Sequence, residues 1–209
     1  MNNHQFSRYA TPAAKDALKG LLDNTENPEK YRQYMLILGS LLSKVILADI
    51  PKTSTSLVVT TAEDADFLHT GVLSELDKAH LTNKIAVFWN NHYQLPSGDS
   101  VAPIVHSYLD PDFDTANNII IVKSIVSGSC VVRTNLIEAL DKVKNISKIF
   151  ILSPVMHKDA EQKLKAAFPK EISDRFNFIY FVINDIRTEE GEIIPGIGGN
   201  VYKLLGLAD

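Results

Sequence analysis

Five short apolar runs rich in β-branched and aromatic residues limit what this chain can fold into more than any other feature. They are "SLVVTT" (Ser56 to Thr61), "KIAVFW" (Lys84 to Trp89), "NIIIVK" (Asn118 to Lys123), "KIFILSP" (Lys148 to Pro154) and "FNFIYFVI" (Phe176 to Ile183). A strand with one face in water alternates apolar and polar side chains, whereas these runs carry little alternation, so each must be covered on both faces. Behind the first, third and fourth, apolar residues return at three- and four-residue steps, as in Phe67, Leu68, Val72, Leu73 and Leu76. Strand, loop and helix in repeated order predict an α/β protein of three layers, with a mostly parallel central sheet and helices on both faces. "VAPIVHSYL" after the loop-rich "NNHYQLPSGDS" predicts an antiparallel extra strand, part of a β-arm. Ahead of the sheet, Ala13, Ala17 and Leu18, then Tyr31 to Ile46 beyond the break at Asn24 to Pro28, predict a helical pair over residues 1–50. With the α/β core over 56–209, the length suits one domain spanning 1–209.

The 21 basic and 25 acidic residues give a net charge of −4 without a basic run, which offers a nucleic-acid backbone no electrostatic grip. The polar start "MNNHQFSRYA" lacks an apolar signal core, and no stretch approaches the roughly 18 apolar residues of a membrane span; a cytoplasmic protein is expected. Cys130, alone, excludes an internal disulfide.

Parallel sheets bind ligands outside the carboxyl ends of their strands. The loops there are Thr60 to Asp66, Asn90 to Gly98, Lys123 to Cys130, Ser153 to Lys158 and Asn184 to Gly199. In "KSIVSGSC", Lys123, Ser124, Ser127, Gly128, Ser129 and Cys130 lead from a buried strand into a helix, whose start offers unpaired N–H groups to a phosphate; Ser127 or Ser129 capping that helix is the plainer alternative. Cys130 reads as a small buried residue. Glu63, Asp64 and Asp66 could take Mg²⁺, but three acids before a helix read first as partners of its dipole. His92 and His106 lack metal-ligand spacing, and His69 is expected half exposed on its helix. In "EIIPGIGGN", Pro195 and the glycines at 196, 198 and 199 require a tightly bent loop, which serves either as a surface turn or as main chain brought close to a ligand.

Taken in order, "YRQYMLILGSLLSKVILADIP", "IAVFW", "NNIIIVKSIVSGSC", "KIFILSP" and "GEIIPGIGGNVYKLLG" resemble the uracil phosphoribosyltransferases from near Ala14 to Gly206. Gly191, Ile193, Ile194, Pro195, Gly196, Ile197, Gly198 and Gly206 keep the family's terminal pattern. The resemblance implies a loop, with Ile193, Ile194, Gly198, Gly199 and Asn200, whose main chain reads the edge of a uracil-like base. It also implies a dimer or higher homo-oligomer built through the helical and β-arm regions.

The departures concern phosphate. Where the family's phosphoribosyl loop carries an Asp-Pro pair, this chain has Lys123-Ser124, and two registers fit the residues that follow. The pyrophosphate loop, arginine-bearing in the family, reads "TTAEDADF", with Thr61, Glu63 and Asp64 at its core. A second arginine position is Trp89-Asn90, and the aspartate after the glycine loop is Gly199. The remaining basic residues on carboxyl-end loops, Lys123, His157, Lys158 and Arg187, read as solvated surface charges. A binding or regulatory protein for a nucleobase, nucleotide or phosphorylated ligand, with the transfer chemistry lost or impaired, is therefore expected. The alternatives are an active transferase making UMP, with Mg²⁺ as its cofactor, or a related base transferase, and a structural dimer partner that kept only the fold; a protein partner is compatible with each.

Overall fold

The structure is a computed structural model that describes residues 5–96, 100–188 and 193–207. In chain order its elements are β1 (Gln5–Phe6), α1 (Pro12–Leu22), α2 (Pro28–Ile46), β2 (Thr55–Thr61), α3 (Thr70–Lys78), β3 (Thr82–Asn90), β4 (Tyr93–Gln94), β5 (Ser100–Val101), β6 (Ile104–Leu109), β7 (Asn118–Val122), β8 (Ile125–Val126), α4 (Cys130–Lys142), β9 (Lys148–His157), α5 (Ala160–Ala166), α6 (Lys170–Ser173), β10 (Phe176–Asn184), β11 (Ile186–Arg187), β12 (Ile193–Ile194) and α7 (Val201–Leu204). Gly191 and the last two positions of the loop from Asn90 to Gly98 lie outside the described residues.

Among the described residues the strands build an eight-stranded sheet in the order β1-β10-β9-β7-β2-β3-β6, with β8 beside β9. The strands from β10 to β3 run parallel, while β1 and β6 are antiparallel edges. The expected three-layer α/β fold is therefore present, with "VAPIVHSYL" supplying the antiparallel strand β6.

Why the strands lack alternation is visible in the core. Val58, Ile120, Val122 and Phe150 point into one apolar cluster with α1, α2 and α3. Their neighbours Leu57, Val59, Ile119, Ile121, Ile149 and Ile151 point into a second cluster with α4 and α5. Strands β2, β7, β9 and β10 feed both cores by turns, so their central positions are largely apolar, whereas β3 places Ala86 and Phe88 in the second core only and leaves Trp89 38% exposed.

Two loop boundaries change. Pro154 does not end its strand: β9 continues to His157, with Val155 paired to Val182 in β10 and to Ile125 in β8, so Ser153 to His157 is strand rather than loop. Proline removes one donor, and flanking strands on both sides hold the segment in place. Likewise, chain after β7 breaks only at Lys123-Ser124 before β8 resumes the sheet, which shortens the loop ahead of α4 to Ser127–Ser129.

Candidate functional site

Strand β2 lies at the middle of the sheet; the chain leaves it first toward β3 on one side and later returns to β7 on the other. At this reversal the carboxyl ends of β2 and β7 open a crevice, the usual ligand position of such sheets. Lys123, immediately after β7, keeps its main chain in the sheet through a hydrogen bond from its N–H to the Leu152 carbonyl (3.1 Å). Its ammonium reaches across to the loop after β2. There Lys123 Nζ donates to Asp64 Oδ2 (2.8 Å), to Glu63 Oε1 and to Ser124 Oγ (3.4 Å). Asp64 Oδ2 also accepts from Thr61 Oγ1 (3.0 Å) and from the Ser124 main-chain N–H (3.2 Å).

Lys123 is thus no solvated charge: it is 7% exposed and Asp64 is 0% exposed. Asp64, at the cap position of the π-helical turn, makes no side-chain cap there, and its carboxylate is engaged by Lys123, Thr61 and the Ser124 main chain instead. An isolated buried ammonium is costly, and two carboxylates offset that cost where one helix dipole would gain from a single acid. Burial by itself would depress the Lys123 pKa; the charges of Asp64 and Glu63 outweigh it and hold the amine protonated.

The loop continues through a 3₁₀ turn at Ala62–Asp64 into a π-helical turn at Ala65–His69 before α3 begins. That turn carries His69 inward, to 3% exposure, rather than half exposed. Burial pushes its imidazole pKa down to about 4, against the opposing pull of the Ala65 and Val58 main chains and the Asp64 charge. His69 Nε2 and Asp64 Oδ1 are buried without a hydrogen-bond partner. His157, also expected at the surface, is buried at the end of β9, whereas Lys158 is exposed.

The crevice has a volume of about 1010 Å³ and is walled by Glu63 and Lys123, by Trp89 and Asn90 at the end of β3, by Ser127 and Gly128 ahead of α4 and Cys130 at its first position, and by Tyr202. A side chain on Gly128 would meet nothing within 4 Å, so this corner of the loop is open. Ser129 occupies the cap position of α4 without a side-chain cap. Cys130 is partly exposed rather than buried; its thiol lies 3.1 Å from the Ser100 carbonyl, and burial raises its pKa despite Arg133. Asn90 and Asn135 exchange amide hydrogen bonds of 2.8 and 3.1 Å, and Asn90 also donates to the Ala102 carbonyl. This pair ties α4 to β3 beside the crevice, whose wall Asn90 joins. No sequence signal links Asn90 to Asn135, since the pairing spans 45 residues.

The glycine loop is bent as its composition requires. The Ile194-Pro195 peptide is cis, Gly196, Gly198 and Gly199 have φ of 55°, 95° and 135°, and the Gly198 N–H donates to the Pro195 carbonyl (3.1 Å). Much of its main chain is already engaged: Asn184 Oδ1 accepts from the Gly196 N–H (3.2 Å), and Tyr31 donates from α2 to the Ile197 carbonyl (2.8 Å). Ile193 is buried in the core, while Ile194, Gly199 and Asn200 are exposed, and Asn200 Oδ1 caps the one-turn α7 by accepting from the Lys203 N–H. From this segment the crevice takes Tyr202, and none of Ile193, Ile194, Gly198, Gly199 or Asn200 lines it. The sequence gives Tyr202 no site role. It sits close enough to Glu63 and Lys123 that burial, then the Glu63 charge, raise its phenol pKa.

Of the three carboxylates expected to suit Mg²⁺, Glu63 and Asp64 both face Lys123, while Asp66 is exposed on the π-helical turn. The first two do not fit a divalent cation while that ammonium is between them, and among the described residues no group of three or more His, Cys, Asp or Glu could hold one.

No protein-family model and no curated protein matches the chain. Among solved structures it is similar to the AQ2163 protein from Aquifex aeolicus, with a TM-score of 0.73 at 15% identity over 95% of this chain and 97% of that one. The shared property is the fold. Looser overlaps include the hypoxanthine-guanine phosphoribosyltransferase of L. donovani (TM-score 0.49, 10% identity, 75% of this chain and 84% of that one). The hypoxanthine phosphoribosyltransferase of Staphylococcus aureus overlaps at TM-score 0.47 and 10% identity, over 62% and 66% of the two chains. Among the described residues no helix is long and apolar enough to cross a membrane.

Proposed function

We propose that the crevice binds a nucleobase-bearing small molecule and that the protein acts as a binding or regulatory protein rather than as a phosphoribosyltransferase. The observation that carries this reading is the ion cluster in which buried Lys123 and Asp64 meet the partly exposed Glu63. Transfer from phosphoribosyl pyrophosphate requires an acceptor for the ribose hydroxyls and fixed cations for the departing pyrophosphate, each preorganised contact contributing a few kcal/mol to the barrier. Here the position that the resemblance gives to the sugar-holding acid is a cation, the positions it gives to the pyrophosphate-holding bases are acids, and the three are ion-paired with one another at a formal charge of −1. A crevice walled by aromatic, amide and hydroxyl side chains remains, which suits a flat hydrogen-bonding ring. The terminal segment, which the resemblance gives a base-reading loop, contributes only Tyr202 to this crevice, so the choice between pyrimidine and purine rests on the binding panel.

Calorimetry with uracil, uridine, UMP, adenosine and AMP should detect binding of at least one of them. A radiolabelled assay with uracil, Mg²⁺ and phosphoribosyl pyrophosphate should show no UMP above background. Robust turnover by the purified chain would overturn the non-catalytic reading, and failure of every ligand in the panel to bind would overturn the binding one.

A further inference from the structure

Resting on the reading of the crevice as a nucleobase site, we infer that it takes an uncharged nucleoside or free base in preference to the phosphate ester, and that Glu63 is the side chain that discriminates. An ammonium has three N–H donors. All three of Lys123 are aimed at protein oxygens, those of Glu63, Asp64 and Ser124, so the one cationic Lys or Arg in the described wall has no donor left for a ligand phosphate. The cluster holds one positive and two negative charges, a formal −1, and its more accessible member is Glu63, 26% exposed where Asp64 is 0%. Glu63 itself lines the crevice.

Opposing this are His92, an exposed imidazole of the same wall that can donate an N–H, and the start of α4, where a helix terminus offers a phosphate the equivalent of about half a positive charge. Half a charge does not offset a full one of opposite sign, and no Lys or Arg in the described wall adds to it. The groups that grip a heterocycle do not depend on its charge: Trp89 and Tyr202 are 38% and 37% exposed and stand in the same wall. Aromatic faces stack on any base, phosphorylated or not. Tyr202 remains a neutral phenol beside Glu63 and can donate a hydrogen bond.

Two unit charges about 12 Å apart at an effective dielectric near 20 change an equilibrium roughly tenfold, which sets the scale of the discrimination. The experiment is calorimetry on the full chain at low ionic strength with two pairs of probes, uridine against UMP and adenosine against AMP, on the wild type and on Glu63→Gln. The wild type should bind the nucleoside of at least one pair about tenfold or more tighter than its monophosphate, and raising the salt should narrow that gap. Glu63→Gln should shrink the gap to about threefold or less. A monophosphate that binds the wild type as tightly as its nucleoside overturns the inference while leaving the proposed function standing; so does an unchanged gap in a folded Glu63→Gln protein. If no probe binds, the proposed function falls first. The wild-type comparison decides the selectivity even if the variant fails to fold.

Discussion

On the β2 and β7 side of the crevice, position is held by charge: Asp64 accepts from Lys123, Thr61 and the Ser124 main chain, and all but Glu63 of that cluster is buried. On the C-terminal side it is held by main chain: the glycine loop hydrogen-bonds to itself and takes one contact each from Asn184 and Tyr31. The first arrangement is all-or-none, because removing one member leaves a charge in a low-dielectric interior. The second loses one neutral hydrogen bond at a time. It is on the charged side that a single substitution should do most damage.

Asp64→Ala tests that asymmetry most severely. It should destabilise the fold by about 3 kcal/mol or more, since Lys123 is left buried with Glu63 alone. Urea denaturation gives the number directly, and a cost no greater than that of a lost neutral hydrogen bond would break the comparison.

His69 sharpens it through pH. Its folded pKa, depressed to about 4, lies below the ordinary 6.5, so the unfolded chain takes up a proton first as pH falls. Stability from the neutral imidazole is fully present above pH 6.5 and is lost progressively down to pH 4, roughly 3 kcal/mol across the window. Urea midpoints at pH 7 and pH 4.5 should therefore separate more in the wild type than in His69→Gln. Parallel pH profiles would show that His69 is not held neutral by its burial.

The glycine side predicts smaller effects. Gly198→Ala places a Cβ 2.5 Å from Thr25 Cγ2 at a φ of +95°, and should cost about 1–3 kcal/mol. Tyr31→Phe leaves the Ile197 carbonyl without its donor and should cost about 1 kcal/mol. If Tyr31→Phe proved as damaging as Asp64→Ala, the neutral loop would be as cooperative as the charged cluster.

The sheet was legible because its signal is local: a run such as "IIIV" (Ile119 to Val122) is apolar at every position only if both faces are covered, and that fixes the layer plan. Bending of the terminal loop was legible for the same reason, since glycine and proline act on their own dihedrals. What the charges do was not legible. Lys123 and Glu63 are 60 residues apart in sequence, and read singly each is an ordinary surface residue; only the return of β7 beside β2 brings them together. His69 was misplaced because a π-helical turn shifts the phase of an otherwise regular helix, moving a polar position to the inner face. Pro154 misled in the opposite direction, since proline usually ends a central strand and here the strands on both sides carry β9 past it.

Ser129→Ala carries the smallest expected effect and still discriminates between readings. A serine that caps a helix through its hydroxyl costs about 1 kcal/mol when truncated to alanine. Ser129 stands at the cap position of α4 with φ and ψ of −96° and −11°, a helical conformation rather than the extended one of a capping serine, and its hydroxyl makes no cap hydrogen bond. Truncation should thus change stability by less than about 0.5 kcal/mol, within the range of a surface substitution. A full capping cost in chemical denaturation would mean that the hydroxyl is spent on the helix, which would remove it from any role toward a bound molecule. A negligible cost accompanied by weaker nucleoside binding would place the hydroxyl on the ligand side of the loop.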